Sequence, residues 1–380
     1  MKIALTGAGR YGKSYVDYIL ETKDPELEFI GVVEKNFDAS PSKQAILDAG
    51  IPVYGSMEEF YEKSHADLMI LCTPPFAHSA QSVFAAEHGS HVLSEKPAAP
   101  TVKEVEAMLQ AEKATGKFIA VGYQWSYNYA ILALKEDILQ GVLGKPISLK
   151  TIISTPRTRA YYAPDWSGRI SKDGIMVMDS ILFNACAHYV HNLLFVLGDA
   201  MDTSAYPQKI EAECLRANDI ENFDTCVLRM TMEGGAKLYF AASHASNGVR
   251  EPEFEFRFEK AVVSYKTQSG RGHLTAVFAD GTVKDYGVPD VGMGKVRVCM
   301  DAVKAEKAPV CTAKTALSHT RLTEDLYKYV PVRDFPADRK KLSGDMVYVE
   351  GLYEQLSRGY EEMLLLSEQD SAITATVFEP

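Results

Sequence analysis

Lys2-Ile3-Ala4-Leu5-Thr6-Gly7-Ala8-Gly9-Arg10-Tyr11-Gly12 opens the chain and decides its fold class. A short β-forming run leads straight into G-x-G-x-x-G, and residues 11–22 then continue with helical periodicity. Glycines at these positions allow a tight turn, a close approach to a pyrophosphate and close packing of helix on strand, while the helix N-terminus faces the anion. A second strand over residues 28–33 ends at Glu34, roughly 20 residues past the third glycine. A carboxylate there can accept hydrogen bonds from an adenosine ribose. It also favours NAD over NADP by repelling a 2'-phosphate, a preference that Lys35 next to it softens. Gly7, Gly9, Arg10, Tyr11, Gly12 and Glu34 are therefore the first candidate cofactor residues.

The same rhythm continues outward. A helix is expected over residues 42–49, and Ser56-Met57-Glu58-Glu59 is a capping box in which hydroxyl and carboxylate satisfy each other's backbone amides. Residues 67–73 form a nearly continuous apolar run, as a strand buried on both faces should. A helix over 77–88, a strand over 91–94, a second capping box at Thr101-Val102-Lys103-Glu104 and a strand over 118–122 complete the pattern. Alternating strands and helices predict a doubly wound parallel sheet, a Rossmann domain over residues 1–122.

Beyond residue 122 the pattern changes. A helix near 127–140 leads to a strand at 147–154, then to a polar, aromatic loop over 156–174 with no period of its own. Residues 176–197 have the pattern of one apolar helix. Strands follow at 210–214, 225–232, 236–243, 253–259 and 261–265, with a hairpin from 274 through Asp280-Gly281 to 284. Consecutive strands without intervening helices indicate an α+β domain with an open, largely antiparallel sheet over 123–380. The tail is expected to be helical, notably over 347–367, and its helices are candidates for packing back on the first domain. An open sheet face also predicts a homo-oligomer formed through that sheet.

The 380 residues are 46% hydrophobic and 24% charged, with a formal net charge of -11. That balance argues against nucleic acid or an anionic membrane as partner, since both require clustered Lys and Arg. Cys72, Cys186, Cys214, Cys226, Cys299 and Cys311 form no C-x-x-C pair and are expected as buried thiols, with no metal site. A strand starting at Lys2 leaves no room for a signal peptide, and no apolar run approaches the roughly 18 residues of a membrane span. A cytoplasmic protein is the expectation.

Cys72-Thr73-Pro74-Pro75 with His78, then His91-Val92-Leu93-Ser94-Glu95-Lys96-Pro97, then Val121-Gly122-Tyr123, strongly resemble the Gfo/Idh/MocA oxidoreductases. The resemblance is firm over residues 1–150 and thins toward the C-terminal strands. It implies that Thr73, Pro74, His78, Glu95 and Lys96 lie against the cofactor, that Lys96 is catalytic, and that Pro97 follows a cis peptide. At the carboxyl end of a parallel strand, where open α/β sheets bind ligands, a lysine can polarise or help deprotonate a substrate hydroxyl.

The family's second signature, D-x-G-x-H-x-x-D, corresponds here to Asn184-Ala185-Cys186-Ala187-His188-Tyr189-Val190-His191. His188 keeps the position of the catalytic or substrate-binding histidine, with a suitable pKa for taking a hydroxyl proton. Asn184 replaces an aspartate; it cannot act as a base but can bond a sugar hydroxyl. His191 replaces the later acid. The 156–174 loop adds Arg157, Arg159, Tyr161, Tyr162, Asp165, Trp166 and Arg169, whose aromatic faces and hydrogen-bonding edges suit a polyhydroxylated ring. Tyr123, Trp125, Arg157, Tyr161, Trp166, Asn184 and His191 are the candidate substrate contacts. The expected reaction is NAD-dependent oxidation of a secondary alcohol on a sugar, sugar derivative or cyclitol. Two other readings stay open: redox-neutral glycoside cleavage through a transient keto-sugar, which the missing aspartate keeps in view, and a non-catalytic sensor of NAD or sugar.

Overall fold

Alternating apolar strands and helices produce a parallel six-stranded sheet in the computed structural model, which describes residues 1–267, 272–289 and 292–380. Its strands are β1 (Lys2–Thr6), β2 (Glu28–Val33), β3 (Val53–Tyr54), β4 (Leu68–Leu71), β5 (His91–Ser94) and β6 (Ile119–Val121), in the order β3-β2-β1-β4-β5-β6. The strands alternate with helices α1 (Gly12–Glu21), α2 (Lys43–Asp48), α3 (Met57–Lys63), α4 (His78–Glu87) and α5 (Val102–Thr115). Burial explains the apolar runs, since every residue of β4 is fully enclosed. Thr101 forms the full capping box with Glu104. At Ser56 only half of the expected box exists, because the Glu59 carboxylate accepts from Gly55 N at 2.8 Å instead of from Ser56 N.

Two compact units divide the chain: Met1–Tyr127 with Val291–Leu317, and Asn128–Asp290 with Ser318–Pro380. The division thus falls at Tyr127 rather than Gly122, and a helix at Gly294–Lys304 belongs to the first unit. Val296, Cys299, Met300 and Ala302 of that helix join the core built on Ile3, Leu5, Leu68, Ile70 and Leu93. Among the described residues no helix is long and apolar enough to cross a membrane.

The second unit begins with α6 (Tyr129–Leu139) and β7 (Pro146–Ser154). After the 156–174 loop come the short strands β8 (Ser171–Lys172) and β9 (Ile175–Met176), then α7 (Ala187–Val196). Strands β10 (Lys209–Arg216), β11 (Thr225–Thr231), β12 (Lys237–Ser243), β13 (Arg250–Phe258), β14 (Ala261–Lys266), β15 (Leu274–Phe278) and β16 (Val283–Gly287) form most of the large sheet, in the order β16-β15-β14-β13-β7-β12-β11-β10, and the short strands Arg333–Asp334 and Thr376–Phe378 both pair with β10. Most pairs are antiparallel, including the expected β15–β16 hairpin, but β7 lies between β12 and β13 and runs parallel to β12.

Two expectations are corrected here. Residues 176–197 do not form one helix: Met178 takes φ 57°, the Ser180 side chain caps at Phe183 N, and a π-turn at Ile181–Ala185 precedes α7. Residues 347–349 belong to a strand, Met346–Val349, paired with Lys340–Ser343; the helix itself is Leu352–Glu362, bounded by left-handed Gly351 and Met363. The sheet face carrying Ile152, Val227, Tyr239 and Ala241 is covered by the chain's own Leu352, Leu356, Tyr360 and Leu365.

Candidate active site

In the first unit, the loops after β1, β4 and β5 meet at the carboxyl ends of adjacent strands, where the strand order reverses. Gly7 (φ 91°) holds the turn after β1, and a Cβ there would stand 2.6 Å from Cys72 O. A Cβ on Gly12 would stand 2.0 Å from Gly7 O, so only glycine lets α1 start against the turn. Over Gly9 the space is open, with nothing within 4 Å of a built Cβ. No side chain caps α1 at Tyr11, and its first turn holds no acid. An uncapped helix start beside an open glycine turn fits the pyrophosphate of a dinucleotide.

Glu34 lies against this loop, its carboxylate accepting from Ala8 N at 2.8 Å and Asn36 N at 2.9 Å. The bonds hold a negative charge beside the glycine turn, suited to ribose hydroxyls and hostile to a 2'-phosphate. Glu34→Ala is expected to raise the affinity ratio of NADPH over NADH by about tenfold, equivalent to about 1.4 kcal/mol. Nicotinamide fluorescence titration of the two cofactors measures it, and an unchanged ratio would refute the role.

The remaining expected cofactor residues divide into surface and support. The Thr73 hydroxyl donates to Gln81 Oε1 at 2.6 Å, and Pro74 starts the 3-10 turn ahead of α4. His78 is buried, with Pro97 O and Thr73 O each 2.8 Å from a ring nitrogen, so it braces the β4 loop against the β5 loop. Burial lowers its pKa, and the two carbonyls oppose that shift without cancelling it. Lys96-Pro97 is a cis peptide.

Glu95 is not a surface residue. Its carboxylate accepts from the Tyr15 hydroxyl at 2.5 Å and forms a buried ion pair with Lys295, and its second oxygen lies 3.2 Å from Lys96 N. Burial alone would raise the Glu95 carboxyl, but the Lys295 ammonium and the Tyr15 hydroxyl hold it below its usual range. Burial likewise opposes the charge on Lys295, yet Glu95 lifts it above the ordinary lysine value. The ammonium also lies 5.2 Å from the ring centres of Tyr11 and Tyr15. A Cβ on Gly122 would come within 3.1 Å of Glu95 Oε1 and 3.3 Å of Lys295 Nζ, which gives the V-G-Y glycine its physical reason.

Sequence reading missed Lys295. A signal existed, because Lys295, Cys299 and Ala302 share the buried face of one helix at i, i+4 and i+7 spacing. Tyr123 and Trp125 were expected at a substrate; both are buried, and the Tyr123 hydroxyl bonds the backbone of Ala98, supporting the segment after Pro97.

In the second unit, Asp179 organises the signature helix. Its carboxylate accepts from Gly168 N at 2.7 Å and from Asn184 Nδ2 at 2.9 Å. Asp179, five residues upstream, thus places a carboxylate beside the Asn184 amide. Cys186 N bonds Ile181 O at 2.7 Å, the wider π-turn spacing, so Asn184 lies on the bulge and half-buried His188 in the first turn of α7. Such bulges recur at functional sites.

His191 has no exposed surface. It stacks on Phe195 at 5.8 Å, and burial, with His319 and Lys135 nearby, holds its pKa well below the ordinary value. In the 156–174 loop, Arg157 lies 4.9 Å over the Tyr161 ring, Trp166 is half-buried, and Arg169 pairs with Glu221 at 2.7 Å on the exposed side. His244 at the end of β12, which the sequence reading did not single out, packs against Tyr161 and bonds the Tyr162 hydroxyl at 3.0 Å.

Comparison with known proteins agrees with both halves. Residues 1–123 match the family model described as oxidoreductase family, NAD-binding Rossmann fold, and residues 131–264 match the GFO/IDH/MocA C-terminal domain. The chain is 22% identical over 249 residues to the 4-carboxy-2-hydroxymuconate-6-semialdehyde dehydrogenase of a Sphingobium strain, covering 65% of this chain and 73% of that one. It is 23% identical over 239 residues to the myo-inositol 2-dehydrogenase of Thermotoga maritima, covering 62% and 66%. The match spans 38%, 38% and 49% of three further curated relatives. Among solved structures, the WlbA dehydrogenase of Bordetella pertussis, in complex with NADH and UDP-GlcNAcA, superimposes with a TM-score of 0.68 at 22% identity, covering 86% of this chain and 95% of that one. With a Rossmann unit shaped for NAD and a C-terminal unit matching the same family, the chain belongs to the GFO/IDH/MocA oxidoreductases.

Proposed function

We propose that the protein oxidises a secondary alcohol of a sugar, sugar derivative or cyclitol. Bound NAD+ supplies the hydride acceptor. The observation that carries this reading is the station of Lys96 at the carboxyl end of β5, with its backbone held by a buried carboxylate in a domain built for a dinucleotide. From there the ammonium polarises the substrate hydroxyl and draws charge from its oxygen as the carbon gives up hydride. His188 takes the hydroxyl proton, leaving a ketone. Asn184, its amide fixed by Asp179, bonds a further hydroxyl and sets the orientation of the ring. The names of the similar Sphingobium and Thermotoga proteins, both dehydrogenases, support the reaction class.

The test is nicotinamide absorbance after mixing the protein with NAD+ and a panel of sugars, cyclitols and glycosides. NADH is expected from at least one of them, with His188→Ala lowering kcat/KM by about 10²- to 10⁴-fold. Glycoside cleavage without NADH would replace this reading with a redox-neutral one. NAD binding with no chemistry across the panel would favour a sensor.

A further inference from the structure

The second unit contains a cationic cluster that its own fold leaves unsatisfied. Backbone bonds from Thr155 N to Ser243 O (3.0 Å) and from Arg157 N to His244 O (3.1 Å) extend the β7–β12 pairing and bring Arg157 beside His244. The guanidinium lies over Tyr161, whose ring is 5.1 Å from Tyr162 and 5.3 Å from His244, near perpendicular to both. His244 is 2% exposed. Its Nδ1 lies 3.0 Å from the Tyr162 hydroxyl, while its Nε2 and Arg157 Nε are buried without a hydrogen-bond partner.

Burial, reinforced by the Arg157 charge, holds the His244 pKa down to about 3, so the ring is neutral at working pH. In the tautomer in which the Tyr162 hydroxyl donates to Nδ1, Nε2 carries the hydrogen and is a donor. The cluster then offers one positive charge and donors on two side chains. Nearby carboxylates do not answer them. Asp179 is engaged by Gly168 and Asn184, and Asp224 by Ala217 N, Asn218 N, Asn218 Nδ2 and Thr225 Oγ1. Buried donors without acceptors cost on the order of 1–3 kcal/mol each, a cost that a ligand oxygen would remove.

We propose that Arg157 and His244, framed by Tyr161 and Tyr162, take a carboxylate of the substrate, so that the preferred alcohol is an acidic sugar derivative such as a uronate rather than a neutral ring. The inference rests on the dehydrogenase reading and names its substrate class. One guanidinium and one neutral imidazole match a single negative charge and two oxygens. A phosphate dianion fits less well, because the Asp179 and Asp224 charges both act on Tyr162 in this cluster.

The experiment is calorimetric titration of the NADH-loaded protein with D-glucuronate, D-galacturonate and D-mannuronate, each beside its neutral hexose, and with glucose 6-phosphate. At least one uronate should bind tenfold or more tightly than its hexose, since a charge-assisted bond is worth about 1.5–3 kcal/mol. Arg157→Gln and, separately, His244→Phe should reduce that ratio by about ten- to a hundredfold, while NADH affinity is unchanged. Equal affinity for every uronate and hexose pair, preference for the phosphate, or a ratio indifferent to Arg157→Gln would overturn the proposal. NADH production when the same sugars are mixed with the protein loaded with NAD+ separates the two readings. Arg157-dependent uronate binding without NADH would sink the dehydrogenase reading alone. NADH formed from neutral alcohols, with no preference for uronates, would sink this one alone.

Discussion

Lys295→Met will cost about 3–5 kcal/mol of folding stability, because it leaves the Glu95 carboxylate buried without its cation. Methionine preserves the length and apolar bulk of the lysine stem, so the loss is electrostatic rather than a cavity. Both partners are nearly inaccessible, with side-chain exposures of 1% and 7%. The pH dependence gives a sharper signature than the magnitude. In the native protein the Glu95 pKa lies below its unfolded value, so its stabilising contribution is present above the unfolded pKa and lost as pH falls through the folded one. Without Lys295, burial dominates and the folded pKa rises above the unfolded value; stability is then higher in acid and lost as pH rises. Denaturant titrations across the acid range will show the slope reverse in Lys295→Met, and adding Glu95→Gln will recover much of the loss. A cost below about 1 kcal/mol, as for exposed ion pairs, would mean that the pair does not hold this loop. Because Glu95 also lies 3.2 Å from Lys96 N, the single variant should lower turnover as well.

Lys96→Met will lower kcat by about 10²- to 10⁴-fold while NADH binding is retained. The glycine turn, Glu34 and the uncapped start of α1 are independent of the Lys96 side chain, so cofactor affinity should stay near that of the native protein. Lys96→Arg should not rescue turnover: the planar guanidinium is larger than an ammonium and does not release its proton. Single-turnover absorbance on a substrate identified from the panel reads this directly. Full activity in Lys96→Met would remove the residue from the reaction. Equal partial activity in Lys96→Arg and Lys96→Met would reduce its role to filling space.

How much was legible before any tertiary structure depended on how local the cause was. The strands at Lys2–Thr6, Glu28–Val33 and His91–Ser94 fell where the sequence predicts them, and so did the Thr101 capping box, because short-range patterning and caps act within a few residues. The glycine turn with Glu34 was equally legible, since its spacing encodes the geometry. Residues 176–197 were misread as one helix. Their apolar character satisfies helical periodicity, but Asp179 bonds Gly168, Val177 N and Met178 N both bond Ile170 O, and these distant partners break the segment before α7 can begin.

Sequence alone thus determined the NAD-binding half of this protein, because a strand, a glycine turn, a helix start and a terminal acid are neighbours along the chain. It also marked Lys96 and His188 as the residues to ask about, through short motifs that resemble those of a known family. Only the tertiary structure decided which charges support that chemistry. Glu95 and Lys295 stand 200 positions apart, and Arg157 meets His244 only through the pairing of β7 with β12. Asp179 places a carboxylate beside Asn184 through a π-turn that periodicity could not reveal. A buried charge chooses its partner by proximity in a low-dielectric interior, and proximity of that kind is a property of the packed fold, not of spacing along the chain.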